Sequence, residues 1–245
     1  MAEDILRISL ITPTYNEREN ITILAEEIFG VLAEYPEIDL ELIVVDDNSP
    51  DGTGEVAEAL KDRFPVQVVH REGKMGLGSA VMAGFAQSDR DLLGVIDADL
   101  SHDPVVLPRL VLGLRDHDLS IGSRYNAESR VEKWPWYRKV ISQAGVFFAR
   151  RLTGVRDPLA GYFFLHRKVI EGMSLTSPGY KILLEILVKG HFERFMEVPF
   201  IFRNRQFSSS KLNWTEYYLF AKQLWLFWWF KKRFSPSPKG GLTEQ

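Results

Sequence analysis

The chain has 245 residues, 45% of them hydrophobic and 26% charged, which suits one large globular domain or one domain with an appendage. It contains no cysteine, so disulfides, thiolate metal sites and a cysteine nucleophile are excluded. The net charge of -3 hides an asymmetry: residues Met1 to Asp62 are strongly acidic, whereas from Arg203 to Lys239 the bases recur against the single acid Glu216. Such a tail calls for an anionic partner. The start, with Glu3 and Asp4 ahead of a strand-like run, lacks the basic and apolar segments of a signal peptide, and none is expected.

In chain order, Leu6 to Thr12 reads as a strand, and Asn20 to Leu32 as a helix with Ile21, Leu24 and Ile28 on one face. Leu40 to Asp46 is a second buried strand. Gly54 to Phe64 reads as helix, Val66 to Val69 as a short strand and Leu77 to Ala86 as a helix of small residues. Leu92 to Asp97 is a fourth strand, Pro104 to Leu114 a helix opened by proline, and Leu119 to Gly122 a further strand. Strands alternating with helices predict an α/β domain, with a Rossmann-like, mostly parallel sheet covered on both faces. A helix is expected from about Tyr137 to Leu152, followed by short strands and helices and an aromatic tail.

Polar clusters recur where these strands run out: Pro13-Thr14-Tyr15-Asn16-Glu17, Asp46-Asp47-Asn48-Ser49-Pro50-Asp51-Gly52-Thr53, and Asp97-Ala98-Asp99. In a parallel sheet such ends share one edge, where open α/β sheets bind ligands. Taken singly, each cluster is also what a turn requires. Asp46-Asp47 is the exception, because adjacent acids closing an apolar strand repel each other unless a cation or hydrogen-bond donors lie beside them. The pair Asp97 and Asp99, with phosphate oxygens, would suit octahedral Mg²⁺ or Mn²⁺. Gly73-Lys74-Met75-Gly76-Leu77-Gly78 lacks both the Walker and the dinucleotide pattern and reads as close packing at a helix start. The histidines show no metal-ligand spacing, and His102 is expected behind the acid pair or in solvent rather than as a ligand.

These motifs together resemble the inverting nucleotide-sugar glycosyltransferases of the GT-A fold, in family 2, and among them the dolichyl-phosphate mannose synthases. The resemblance rests on residues 13–20, 44–53, 76–80, 97–102 and 122–125. It continues through Trp-Pro-Trp-Tyr-Arg-Lys-Val-Ile-Ser at 134–142, Asp-Pro-Leu-Ala-Gly-Tyr-Phe at 157–163, 179–187, Glu-Val-Pro at 197–199 and Ser-Lys-Leu at 210–212. It implies a catalytic domain over residues 1–212. By resemblance, Pro13, Tyr15, Glu17, Val45 and Asp47 form the nucleoside pocket. Asp97, Ala98 and Asp99, with Ser101, form the metal and diphosphate site. Arg205 and Lys211 join the donor set, while Arg124, Arg138, Ser142 and Lys181 hold the acceptor phosphate. Asp99, Arg124 and Arg138 are the expected catalytic groups. Two departures stand out: Ser101 occupies a place where some relatives carry Gln, and Ser208-Ser209-Ser210-Lys211 replaces Gly-Glu-Ser-Lys.

The implied reaction moves mannose from GDP-mannose to dolichyl or polyprenyl phosphate with inversion, assisted by Mg²⁺ or Mn²⁺. A phosphate monoester is already anionic at neutral pH and needs positioning rather than a general base. Transfer of glucose from UDP-glucose, or a non-catalytic nucleotide-sugar-binding scaffold, are the alternatives; nucleic acid is not an expected partner. Within Trp214 to Phe234 the apolar run Leu224 to Phe230 is too short to span a bilayer. Its Trp and Tyr residues, followed by Lys231-Lys232-Arg233, suit an amphipathic interfacial helix over 213–234. Packing on the domain's own core, or docking on a small membrane-embedded subunit, are its other readings. The expected location is the cytoplasmic face of a membrane, and residues 235–245 are expected to be disordered.

Overall fold

The computed structural model describes residues 4–124, 146–173, 175, 182–203, 224 and 226–229. Its centre is a seven-stranded sheet. The first half runs β1 (Leu6–Thr14), α1 (Arg18–Leu32), β2 (Ile38–Asp46), α2 (Thr53–Ala59), β3 (Val66–His70), α3 (Leu77–Gln87) and β4 (Leu92–Val95). It continues with α4 (Leu107–Leu112), β5 (Leu119–Ser123), helical residues 146–153 (α5), β6 (Phe163–His166), α6 (Ile182–Lys189) and β7 (Phe195–Pro199). The spatial order is β3-β2-β1-β4-β6-β5-β7. All neighbours pair in parallel except β6, which runs antiparallel to both β4 and β5.

The strands alternate in period two between two buried faces, as a sheet covered on both sides requires. Ile8, Leu10, Leu42 and Val44 face α1, α2 and α4, in a cluster with Ile21, Leu24, Ala57 and Leu110. Ile11, Ile43, Val45, Leu93 and Val95 face α3 and α6, packed with Ala80, Val81, Phe85 and Ile186. The small residues of α3 let it approach closely: a Cβ on Gly84 would lie 2.6 Å from Ile11.

Two helices are shorter than the sequence predicts. The helix expected over Gly54 to Phe64 becomes 3-10 at Leu60–Asp62 and then stops, because Pro65 disfavours helical torsions in the residue before it. The helix expected over Pro104 to Leu114 is divided into a 3-10 turn at Pro104–Val106, α4, and another 3-10 turn at Gly113–Arg115. Pro108 stands in the first turn of α4, where its missing N–H costs nothing, so α4 starts there instead of continuing from Pro104.

Of the helix expected from Tyr137, residues 146–153 are described and helical. They pack with α6 and the tail: Ala149, Leu152, Leu184, Val188 and Phe227 form a third apolar cluster. Phe147 and Phe148 face outward, as do Leu226, Trp228 and Trp229. Among the described residues, no helix is long and apolar enough to cross a membrane.

Candidate active site

The strand directions gather the site. β1, β2, β3, β4, β5 and β7 end at one edge, and the reversed β6 begins there. Loops leaving six strands and the loop entering the seventh therefore gather at the edge that carries Asp97.

The first two loops are laced together. The N–H of Asn16 donates to Ser49 Oγ (3.0 Å), that of Glu17 to Thr53 Oγ1 (2.9 Å) and that of Arg18 to Asp51 (3.2 Å). Burial works against ionisation of Asp51, but hydrogen bonds from Thr53 and Arg18 outweigh it and hold its carboxyl below the usual range. Tyr15 lies beside them, with Lys74 Nζ 4.4 Å above its ring.

The adjacent acids are resolved as the repulsion argument requires. Asp46 accepts from Thr14 Oγ1 (3.1 Å) and from the N–H of Ser49 (3.0 Å). Asp47 pairs with Arg71 Nη1 at 2.6 Å, both side chains almost wholly buried, and accepts the N–H of Met75 at 3.2 Å. Burial raises the Asp47 carboxyl above its ordinary value despite the guanidinium beside it. Asp47 thus fixes the glycine-rich loop against the end of β2. Arg71 was not singled out in the sequence. Its signal was the need of Asp46-Asp47 for a cation, but nothing in the chain said which one.

The turn after β4 carries the acid pair. Leu100 adopts φ 60°, a left-handed conformation that leucine rarely takes, with its side chain buried in the core. Asn16 and Asn48, at the two other strand ends, are the only other described non-glycine residues with positive φ. The Asp99 carboxylate is nearly buried and accepts the N–H of Ser101 (3.1 Å), whereas that of Asp97 is 28% exposed. His102 is neither a solvent group nor at the rim. Its ring is buried, stacked on Tyr162 at 5.2 Å and edge-on to Phe200 and Phe202, and its Nδ1 accepts the N–H of Asp97 (3.3 Å). Arg203 closes the turn from outside, donating its N–H to the Ser101 carbonyl and pairing with Asp103 and Glu27.

Asp97, Asp99 and the Ser101 hydroxyl, which is buried without a hydrogen-bond partner among the described residues, make an all-oxygen donor set of the kind hard divalent cations accept. No group of three or more His, Cys, Asp or Glu side chains among the described residues forms a metal cage. The arrangement fits an ion that takes its remaining ligands from phosphate and water.

Arg124 follows β5 directly. Its Nε and Nη2 fork onto Asp157 at 2.8 and 3.0 Å, Nη2 also reaches the Leu159 carbonyl, and its N–H donates to Asp157 as well. Asp157 is fully buried. The structure therefore brings Pro13, Tyr15, Glu17, Asp47, Asp97, Ala98, Asp99, Ser101 and Arg124 to one edge. Val45 is there only through its backbone, because its side chain belongs to the core. Arg138, Ser142, Lys181, Arg205 and Lys211 lie outside the described residues.

Comparison with known proteins gives the family and the shared fold. Residues 9–173 match the model of Glycosyl transferase family 2. A dolichol-phosphate mannosyltransferase of Pyrococcus furiosus is 42% identical over 212 residues, covering 84% of this chain and 59% of the relative. The chain thus spans less than two thirds of that protein's length. A dolichol-phosphate mannosyltransferase of Saccharomyces cerevisiae is 38% identical over 218 residues, covering 85% of this chain and 82% of the relative. Among solved structures, glucosyl-3-phosphoglycerate synthase from Mycobacterium tuberculosis, in complex with Mn²⁺, UDP and glucosyl-3-phosphoglycerate, superposes with a TM-score of 0.68 at 21% identity. That alignment covers 95% of this chain and 82% of the other, and it shows the shared fold.

Proposed function

The chain belongs to glycosyl transferase family 2, and from that premise we propose that it transfers mannose from GDP-mannose to a dolichyl or polyprenyl phosphate with inversion. The observation that carries the reading is the meeting, at one sheet edge, of the Asp97/Asp99 pair with the fixed guanidinium of Arg124. The donor set fits Mg²⁺ or Mn²⁺ held by Asp97 and Asp99. When bound, such an ion offsets the charge that develops on the leaving diphosphate.

The chain's own residues supply the rest. The interlaced loops around Tyr15, Glu17 and Asp47 form the wall against which the nucleoside rests. Their positions are set before donor arrives, so little reorganisation accompanies binding. Arg124, held by Asp157, presents its guanidinium at the same sheet edge as Asp97, where an acceptor phosphate must approach. That phosphate is a nucleophile without deprotonation, and no side chain in the described edge has to act as a base. Arg138, Ser142, Arg205, Lys211 and Lys181 are assigned to the same phosphates by family resemblance.

The acceptor's lipid implies a membrane surface, and the reading includes peripheral attachment at the cytoplasmic face, with a small membrane-embedded subunit as a further partner. The outward Trp228 and Trp229, on a helix whose Phe227 is buried against α5 and α6, support it. Part of the tail thus packs on the domain while another part faces out.

The test is a donor and acceptor screen with the full chain. GDP-mannose and UDP-glucose are offered with polyprenyl phosphate in vesicles, in Mn²⁺, Mg²⁺ or chelator. Metal-dependent formation of a mannosyl lipid is the expected result. Transfer from UDP-glucose alone would move the reading to a glucosyltransferase, and no transfer from either would leave a binding protein.

A further inference from the structure

Arg124 and Asp97 approach the site from different strands, and one short loop touches both. It runs over residues 157–161 and enters β6 from the site edge. At its first end Asp157 is anchored from behind: Glu197, on β7, accepts the N–H of Asp157 at 2.9 Å and that of Arg156 at 3.0 Å. The Asp157 carboxylate then faces forward and takes the fork of Arg124, and the Leu159 carbonyl accepts the same guanidinium at 3.2 Å.

At its other end stands Gly161. A Cβ built there would lie 2.7 Å from one carboxylate oxygen of Asp97 and 3.1 Å from its other oxygen and its Cγ. Gly161 is not among the glycines with positive φ, so the backbone torsion does not demand glycine. The space taken by the Asp97 carboxylate does. His102 Nδ1 accepts the Asp97 N–H and lies 3.9 Å from the carboxylate oxygen that faces Gly161. The carboxylate is therefore seated against the Gly161 backbone, while a buried ring fixes its peptide and borders one of its oxygens.

We propose that the loop 157–161 is a positioning element that sets the Asp97 carboxylate relative to the Arg124 guanidinium, with Gly161 and Asp157 as its two working ends. This rests on the reading of Asp97 as a metal ligand and Arg124 as an acceptor-phosphate group. If the diphosphate is held through Asp97 and the acceptor through Arg124, the loop fixes the distance between the two substrates' phosphates. Neither end touches substrate; each acts through the residue it holds.

The two ends have separable readouts. Mn²⁺ binding to the full chain with GDP, followed by electron paramagnetic resonance, reports the Asp97 end without any turnover. Gly161→Ala should weaken it about tenfold, the scale of a disturbed supporting group, while the KM for polyprenyl phosphate changes less. Asp157→Asn should do the reverse, raising the acceptor KM and leaving Mn²⁺ affinity within about twofold of the original. Gly30→Ala, where a Cβ meets open space, is the control and should change neither. Circular dichroism checks each fold; should Gly161→Ala not fold, Asp157→Asn carries the test. Unaltered Mn²⁺ affinity in folded Gly161→Ala, or equal loss of both readouts in Asp157→Asn, overturns the positioning role alone. An unmodified chain that binds no Mn²⁺ with GDP or UDP overturns the metal reading and this inference with it.

Discussion

The two edges of the sheet treat their polar groups in opposite ways. At the edge where β4 begins, Glu41 is nearly buried, yet its oxygens are engaged by Ser9, Gln67 and Arg90. Arg90 also reaches the carbonyl of Ile8, and Arg167 donates to carbonyls of Phe85, Ser88 and Arg90. At the opposite edge, among the described residues, three other than glycine take positive φ, and the buried hydroxyls of Ser101, Ser123 and Tyr162 have no hydrogen-bond partner. Strain and unmet polar groups cost free energy and persist where the surroundings impose them, which is the mark of a working site. One edge thus holds the domain together, and the other is held in place by it.

The comparison predicts how substitutions divide. Asp99→Asn should lower transfer about a thousandfold, equivalent to about 4 kcal/mol. The unfolding midpoint should barely move, since the amide oxygen can still accept the Ser101 N–H. A large fall in stability instead would place Asp99 with the structural edge. Arg90→Ala should do the opposite. It strands Glu41 in a nearly buried position and should cost about 3 kcal/mol of stability by denaturant titration, with transfer per folded molecule unchanged.

A smaller effect belongs to Asp118, just before β5. Burial opposes its ionisation, but Lys168 and the N–H groups of Glu193 and Arg194 lower its pKa to about 2. A carboxyl depressed in the folded state contributes stability above its ordinary value of 3.8, and that contribution is lost as pH falls from there toward 2. Because Lys168 is largely exposed, about 1 kcal/mol is expected. Asp118→Asn should remove that part of the acid-unfolding slope, and urea titrations at pH 3 and pH 6 would measure it. Least of all, Asn48→Gly should change stability by no more than about 0.5 kcal/mol, since asparagine already tolerates left-handed torsions. A larger loss would mean that the Asn48 side-chain bond to the Glu72 carbonyl matters more than its backbone.

The fold was largely legible because its signals are periodic. Apolar runs ending in polar clusters located β1, β2 and β4, and their alternation with helices predicted a mostly parallel sheet with its polar ends on one edge. What stayed hidden was nonlocal. Phe163 to Leu165 is a short apolar run, and nothing within it states that the strand runs backwards. That Asp46-Asp47 needed compensation was readable, but Arg71 as its source depends on where β3 ends. Leu100 carries no sequence mark of its left-handed torsion, because the core imposes it. Asp157 and Gly161 sat inside a motif already recognised, yet their tasks appear only once Arg124 and Asp97 are seen on either side.

The reversed strand also governs when the site comes into being. β6 closes the gap between β4 and β5, and it is synthesised well after both. Until it docks, each of those strands presents an open row of backbone donors and acceptors, the surface through which nascent sheets pair wrongly with one another. The Asp97 turn is then complete in sequence but lacks the wall formed by Gly161 and Tyr162. Docking of β6 pairs both rows and brings that wall against the Asp97 turn together, and β7 then adds the Glu197 anchor behind Asp157. A substitution in residues 157–166 that weakens this docking would leave the edges of β4 and β5 open to such pairing.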